Sequence, residues 1–417
     1  MIEKKPLHLG VIFDQQSQSG GGFQQSITDA LALSGLSDEL VKISYIATSS
    51  EGVSNLASYG IKAKIVRLSK ISTLISLFNL LVVHLSGHFG IGLRKRLDRL
   101  ATKWGFESEL VRQDIDLVYF LSPSKLALQL NKLNYIITVW DLCHRDHPEF
   151  PEVRFGFQYE AREQFFNRTL SRAMAVFVDS DVGARNLSRR YAIDEKRIFV
   201  IPFRVSQIAR KEFRQDKRCG SLPSRLPIEQ PYIFYPAQFW AHKNHVYILN
   251  GLCCLERIYG KRINAIFAGA DYGNQEYVEC CIRELGLEGY VKVVGFVSDE
   301  EVNYLYRNSL AVVMPSYFGP TNLPPLEAFR LGVPLLYSNL DGMREQVQGA
   351  ALLMDLSAPE SMAKHLNDLL ESEDLRNSLI SEGYRVLRDM EAFDPTTVLR
   401  QVLDNFRQKR VCWGSGQ

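Results

Sequence analysis

The sequence predicts an α/β protein made of two nucleotide-fold domains. Short apolar runs alternate with helical patterns along the chain, as they do in parallel sheets covered by helices. The order strand, polar loop, helix then begins again near residue 232, and 417 residues are too many for one ordinary core. The predicted units are a first domain, a linker, a second domain and a C-terminal helix, at 1–205, 206–230, 231–392 and 393–417.

Composition narrows the class of protein. Hydrophobic residues make up 46% and charged residues 23%, which is typical of a globular chain. The net charge is 49 − 47 = +2, so a nucleic-acid partner is not expected. The seven cysteines include two adjacent pairs and have no metal-ligand spacing, which favours reduced thiols in a cytosolic protein and no metal site. No signal peptide is expected before the first strand, and the predicted location is cytoplasmic.

The first strand, Leu7–Phe13, leads into a glycine-rich loop that includes Gly21 and Gly22. A helix follows from about Gln24 to Leu33. Three glycines between a strand and a helix allow a ligand to approach the backbone closely. The loop does not match GxGxxG, and a loop that is merely flexible explains it equally well.

An apolar segment, Ile71–Leu93, is followed by the basic residues Arg94, Lys95, Arg96 and Arg99. The segment is too short and too interrupted to span a membrane. It fits a helix that packs on the sheet and ends in solvated charges. It also fits a helix that rests on an anionic membrane surface, so peripheral membrane contact is a second expectation.

Polar side chains follow the strand Tyr135–Val139. Asp141, His144 and His147 come directly after its carboxyl end, where open α/β sheets bind ligands. We expect Asp141 to orient or deprotonate an acceptor hydroxyl, with either histidine able to assist. Hydrogen-bonded loop residues without a function remain the alternative. The next elements are a long helix over 154–174 and a helix capped by Ser180.

The second half repeats this order. Lys243 lies between the strand Tyr232–Tyr235 and a helix that ends near Gly260, where an ammonium group could neutralise a phosphate or simply be solvated. Further along, the strand Ala311–Met314 is followed by a loop and by a helix that opens at Leu323. A helix N-terminus after such a loop offers N–H groups and a positive dipole end to an anion.

Within that helix, Glu327 is placed to accept a sugar hydroxyl. An ordinary βαβ crossover is the alternative for the whole stretch. The last helices begin near Pro359, Glu373 and Pro395. The final one has an apolar stripe at helical spacing, and we expect it to pack back on the first domain.

These motifs resemble the retaining, family 4-type glycosyltransferases of the GT-B fold. The resemblance is carried by Lys243-Asn244, by the helix start Leu323–Ala328 and by the segment that begins at Glu345. It implies two Rossmann-like domains that face each other across a cleft, with the acceptor on the first domain and the donor on the second. It also implies transfer of a mannose- or rhamnose-type hexose or deoxyhexose from a nucleotide-sugar to a glycan or lipid-linked acceptor. Such transfer serves surface polysaccharide synthesis and needs no metal or cofactor.

The resemblance assigns roles by position. Lys243 would bind the donor diphosphate, and Asp141 would match an aspartate that acts at the acceptor. The other donor-binding positions are Gly21, Gly22 and Gln238, the backbone N–H groups of Thr321, Asn322 and Leu323, and Glu327 for the ribose.

Three positions depart from the family pattern. Gln238 stands where the family commonly has arginine, Gly319 where it has a glutamate, and Trp140 where it has a histidine. Two other functions stay open, the first because two charges are absent and the second because it uses the same two-domain fold. The chain could be a non-catalytic partner subunit that binds nucleotide-sugar, or a nucleotide-sugar epimerase of the same fold.

Overall fold

A computed structural model describes residues 6–15, 21–36, 40–66, 105–210 and 230–413. The apolar segment with its basic turn and most of the predicted linker lie outside the described residues, so the membrane hypothesis on 71–99 is not addressed. Within the described ranges, no helix is both long and apolar enough to cross a membrane.

The first domain contains a seven-stranded parallel sheet in the order β3-β2-β1-β4-β5-β6-β7. The strands are Leu7–Phe13, Val41–Ala47, Ala63–Ile65, Leu117–Phe120, Asn134–Val139, Ala175–Val178 and Ile198–Val200 for β1 to β7. The described helices around it are Gly21–Leu33, Ser50–Ser58, Phe106–Arg112, Cys143–Asp146, Pro151–Arg154, Gln158–Leu170 and Asp181–Tyr191 for α1 to α7. Short 3₁₀ turns cover Lys125–Gln129, Phe155–Phe157 and Glu195–Arg197.

The second domain contains a six-stranded parallel sheet in the order β10-β9-β8-β11-β12-β13. Strands β8 to β13 are Tyr232–Pro236, Asn264–Ala268, Val291–Gly295, Ala311–Met314, Leu335–Ser338 and Leu352–Met354. Helices α8 to α16 are Gln207–Arg210, His245–Tyr259, Gln275–Glu284, Asp299–Arg307, Leu323–Leu331, Met343–Val347, Pro359–Glu371, Glu373–Glu391 and Pro395–Arg410.

Each sheet has a switch point where the strand order reverses, between β1 and β4 in the first and between β8 and β11 in the second. Open α/β sheets bind ligands beyond the carboxyl ends of the strands at such points. The loops that follow β1, β4, β8 and β11 therefore lie at the switch points, and the loop after β5 lies at the same edge of the first sheet.

Helix α16 packs on the first domain, as predicted. Leu399, Val402 and Phe406 are buried in one cluster with residues of β1 and α1 such as Leu9 and Leu33. The chain thus ends on the domain where it began, and the apolar stripe explains why.

Two predicted elements differ in the structure. The long helix over 154–174 is broken, because Gly156 and Phe157 adopt left-handed angles with φ of 64° and 60°. A single glycine within a helical pattern is not enough to predict such a break. The start of the predicted linker is also folded, since Ala209 is buried in the core of the second domain, as is Val205 at the end of the predicted first domain.

We expect Phe157→Asn to stabilise the protein. A bulky residue in the left-handed region is strained by roughly 1–2 kcal/mol, whereas asparagine tolerates that region. The Phe157 side chain is 80% exposed, so little packing is lost. The free energy of unfolding should rise by about 0.5–1 kcal/mol, measured by urea denaturation. Phe155→Asn is the control, because Phe155 is 72% exposed but has ordinary backbone angles. Equal effects of the two changes would exclude strain at Phe157.

Candidate active site

A cavity of about 720 Å³ opens between the two domains. On the first domain it is bounded by the loop after β5 and by helix α7. On the second it is bounded by the loop after β11 and by the segment before α13. Its walls include Asp141, His147, Arg185, Phe318 and Asn339.

Asp141 lies on this cleft and is held as a carboxylate. Its Oδ1 accepts hydrogen bonds from Arg162 Nη2 at 2.5 Å and from the Cys143 N–H at 3.0 Å. Burial would raise the pKa of Asp141, but the charge of Arg162 and these hydrogen bonds outweigh it and lower the pKa to about 2. A carboxylate of such low basicity is a poor proton acceptor, so the site favours orientation of a hydroxyl over its deprotonation.

Lys243, on the second domain, lies close enough to Asp141 for their charges to interact. It ends the 3₁₀ turn Ala241–Lys243, and Asn244 takes a left-handed φ of 55° before helix α9 begins. Burial lowers the pKa of Lys243 to about 8, and the charge of Asp141 opposes that shift. Among the described residues, no carboxylate lies within ion-pair distance of the Lys243 ammonium group. A desolvated cation without a close partner is suited to bind an incoming anion.

The helix α12 start differs in detail from the prediction. The Asn322 N–H donates to Gln346 Oε1 at 3.1 Å, and Gln346 Nε2 donates to the Asn322 carbonyl at 2.6 Å. This N–H group therefore already has an acceptor, Gln346 Oε1. The prediction that it donates to a diphosphate is corrected accordingly. The Thr321 hydroxyl donates to Asp179 Oδ2 of the first domain. Leu323 is the first residue of the helix, where the helix itself supplies no acceptor for its N–H.

A second cavity, of about 170 Å³, adjoins the helix α12 start. Gly21, Gln238, Leu323 and Glu327 all line it, so the structure brings four predicted donor-binding residues together. The backbone closes one side tightly, since a Cβ on Gly269 would lie 2.2 Å from the Ala237 carbonyl oxygen. Gln238 accepts a hydrogen bond from Trp240 Nε1 at 3.1 Å and supplies no charge.

Glu327 is buried at the edge of this second cavity. Its two oxygens accept hydrogen bonds from the Ser206 hydroxyl at 2.6 Å and the Tyr306 hydroxyl at 2.7 Å. Burial raises the pKa of Glu327, while these two hydrogen bonds act to lower it. Each carboxylate oxygen has a second lone pair, so the group can still accept a ribose hydroxyl.

We expect Glu327→Gln to weaken binding of a nucleoside diphosphate. A neutral amide is a poorer acceptor than a carboxylate by about 1–2 kcal/mol, which corresponds to roughly tenfold in Kd. Isothermal titration calorimetry measures this loss. Ser206→Ala is the control, because it removes a partner of Glu327 and leaves the carboxylate in place. If Glu327→Gln binds as tightly as wild type, the carboxylate is only a packing residue at the helix start.

The first two residues of helix α1, Gly21 and Gly22, approach the second domain and the loop after β5. A Cβ on Gly21 would lie 3.6 Å from Leu323 Cδ1 across the cleft. At Gly22 a Cβ would lie 2.7 Å from the Trp140 ring, so no larger residue fits without a shift of that ring. Trp140 thus fills the space beside the helix α1 start, at the position where the family pattern has histidine.

The two predicted histidines differ in placement. His144 is fully buried, and its Nε2 contacts Glu163 Oε1 at 2.9 Å and the Tyr191 hydroxyl at 3.0 Å. It therefore cannot touch an acceptor, and its role is corrected to packing inside the first domain. His147 lines the cleft and stacks on Phe318 of the second domain, with ring centroids 5.9 Å apart.

Sequence reasoning missed the contacts that join the domains. Glu152 Oε1 accepts from the His242 N–H at 2.9 Å and also contacts His242 Nδ1. Asp179, which accepts from Thr321, has its pKa raised to about 7 by burial. Asp179 follows strand β6 as Asp141 follows β5, so its position at a strand's carboxyl end was the available signal. Arg162 lies in the middle of a helix, and no sequence pattern indicated its contact with Asp141.

Comparison with solved structures shows which fold the two domains form. Two parallel-sheet Rossmann-like domains across a cleft form the GT-B fold. The structure of a glycosyltransferase from Rickettsia africae ESF-5 aligns with a TM-score of 0.64 at 15% identity, over 97% of this chain and 99% of that one. Anabaena HepE, solved in complex with UDP and glucose, aligns with a TM-score of 0.63 at 14% identity, over 97% of this chain and 100% of that one.

The family match falls on the second domain. Residues 223–386 match the model of the family "Glycosyl transferases group 1". The chain is also 32% identical over 96 residues to the O-antigen chain mannosyltransferase B of Escherichia coli, which is 23% of this chain and 25% of that relative. It spans between 25% and 65% of the length of the curated relatives it matches. The second domain therefore carries a group 1 glycosyl transferase domain.

Proposed function

We propose that this protein is a retaining glycosyltransferase. It transfers a hexose or deoxyhexose of the mannose or rhamnose type from a nucleotide-sugar to a glycan or lipid-linked glycan. The reaction belongs to surface polysaccharide synthesis and takes place in the cytoplasm, at the inner face of the membrane where the acceptor is lipid-linked. The observation that carries the proposal is that Lys243, in the family-matching domain, lies close enough to Asp141, which lines the cleft from the other domain, for their charges to interact.

Departure of the nucleoside diphosphate needs its growing negative charge to be stabilised. Lys243 supplies a desolvated positive charge, and the start of helix α12 supplies an oriented dipole. The nucleoside occupies the smaller cavity, with its ribose at Glu327. These groups meet the electrostatic need of the step, so the proposed reaction uses no metal ion or other cofactor.

The pairing of the cleft carboxylates argues against both an enzymic nucleophile and a strong enzymic base, so the proposed retention uses a same-face substitution. Among the described residues that line the cavity, every carboxylate has a guanidinium partner: Asp141 with Arg162, Asp146 with Arg190, and Asp341 with Arg344. A paired carboxylate is a weak nucleophile, which argues against a covalent sugar–enzyme intermediate. The acceptor hydroxyl then attacks from the face that the diphosphate leaves, and a phosphate oxygen takes its proton.

Asp141 orients that hydroxyl, and closure of the cleft excludes water. The contacts Glu152–His242 and Thr321–Asp179 cross between the domains. They support a closed arrangement in which the donor is protected from hydrolysis.

A screen in two stages tests the proposal. Thermal shifts with a panel of nucleoside diphosphates identify the base, because a ligand of the folded state raises the melting temperature. The matching nucleotide-sugars are then incubated with the protein, with and without glycan acceptors. Acceptor-dependent product supports transfer. Isomerised donor without acceptor indicates an epimerase, and binding without any turnover indicates a non-catalytic subunit.

A further inference from the structure

The wall of the cleft formed by helix α7 carries charge that the transfer step does not use. Val182, Arg185, Asn186 and Arg189 all line the cavity. The last three lie three, four and seven residues after Val182, which places all four on one face of the helix. Arg185 and Arg189 are one turn apart, both are exposed and both line the cavity, so their guanidinium groups are able to lie next to each other there.

The two guanidinium groups have no charged partner in the described part of the chain. The carboxylates on the cavity wall are already paired with other arginines, and no ion pair joins Arg185 or Arg189 to any described acid. Asp181, one turn before Arg185, and Glu345, on an adjoining cavity that Arg185 also lines, are both outside ion-pair distance. This wall therefore presents two uncompensated positive charges to whatever enters the cleft.

Paired arginines at a cavity select for oxyanions. The planar guanidinium group binds phosphate or carboxylate through two parallel hydrogen bonds, and two such groups one helical turn apart can grip one phosphate each or share one anion. Lys243 and helix α12, which serve the donor diphosphate, belong to the opposite domain. The arginine pair stands on the same domain as Asp141, where the acceptor hydroxyl is oriented.

We propose that the acceptor carries an anionic group, and that Arg185 and Arg189 bind it while Asp141 orients the hydroxyl. This inference rests on the proposed function and adds the charge of the acceptor. The anion is a phosphate or diphosphate that links the glycan to its carrier, or the carboxylate of an acidic sugar.

Calorimetric titration of three probes tests the proposal, each with the donor site saturated by the nucleoside diphosphate that gives the largest thermal shift. The probes are inorganic pyrophosphate, methyl β-glucuronide and the neutral methyl β-glucoside. The test variant is R185Q/R189Q. The matched control is R388Q/R400Q, which removes two exposed arginines from α15 and α16, outside the described cavities.

We expect at least one anionic probe to bind wild type and the control, and to bind R185Q/R189Q at least tenfold more weakly. Its affinity should fall with added salt, as screening requires. Binding of pyrophosphate indicates a phosphate-linked acceptor, and binding of the glucuronide alone indicates an acidic sugar. The affinity for the neutral glucoside should be the same for wild type and both variants.

The proposal is overturned if neither anion binds, if the anion binds R185Q/R189Q as well as it binds wild type, or if it binds only when the nucleoside diphosphate is absent. The last result would assign the arginines to the donor. These binding results do not depend on turnover, whereas failure of the proposed function appears as lack of any transfer or donor hydrolysis by wild type.

Discussion

Lys243→Ala should reduce transfer on the order of a hundredfold or more, mainly through kcat. The ammonium group faces charge that grows as the diphosphate leaves, and removal of one such electrostatic contact in a closed site usually has an effect of this size. Steady-state kinetics with the donor found in the screen measures the loss. Lys364→Ala, at an exposed position of helix α14, is the control for removal of one positive charge.

The low pKa of Lys243 makes the affinity for the donor depend on pH. Because burial lowers this pKa to about 8, the free protein holds the ammonium form below pH 8 and loses it above. Donor affinity of wild type should therefore fall as the pH rises through about 8. Lys243→Arg should keep its affinity over the same range, since the guanidinium group stays charged. Near-normal turnover by Lys243→Ala, or a flat pH profile for wild type, would remove this lysine from the mechanism.

Asp141→Asn should separate transfer from hydrolysis. In the proposed reaction the carboxylate orients the acceptor hydroxyl, and loss of that orientation should reduce transfer on the order of a hundredfold. Slow hydrolysis of the donor by water does not use the acceptor and should change little. Both rates can be followed in one assay by nucleotide release with and without acceptor.

Asp146→Asn is the matched control for Asp141→Asn. Asp146 also lines the cavity and also pairs with an arginine, Arg190, so its loss removes one cleft carboxylate without touching the reacting hydroxyl. Melting temperatures of both variants report any unfolding. If hydrolysis and transfer fall together in Asp141→Asn, the aspartate acts on the donor and the acceptor role is wrong.

Local patterns were enough to predict the architecture. Apolar runs marked the strands of both sheets, and Ser180 caps helix α7 as predicted, accepting from the Gly183 N–H. The stripe of Leu399 and Phe406 correctly indicated that the last helix is buried. These features depend on neighbours within a few residues, or on the hydrophobic periodicity of one element.

The site was less predictable, because its contacts join distant parts of the chain. Arg162 reaches Asp141 across 21 residues, and Gln346 occupies the Asn322 N–H across 24. Neither pairing has a local pattern. The prediction for His144 was wrong for a related reason. A four-residue helix gives no periodicity from which to tell the buried face from the cleft face.

The anomeric configuration of the first product tests the central claim most directly. Proton NMR during the reaction, with the donor and acceptor from the screen, distinguishes the two anomers by their coupling constants or, for manno-configured sugars, by their one-bond carbon–proton couplings. The proposed same-face substitution, in which the acceptor hydroxyl attacks from the side that the diphosphate leaves, predicts that the new glycosidic bond has the configuration of the donor. A product of inverted configuration would contradict the account.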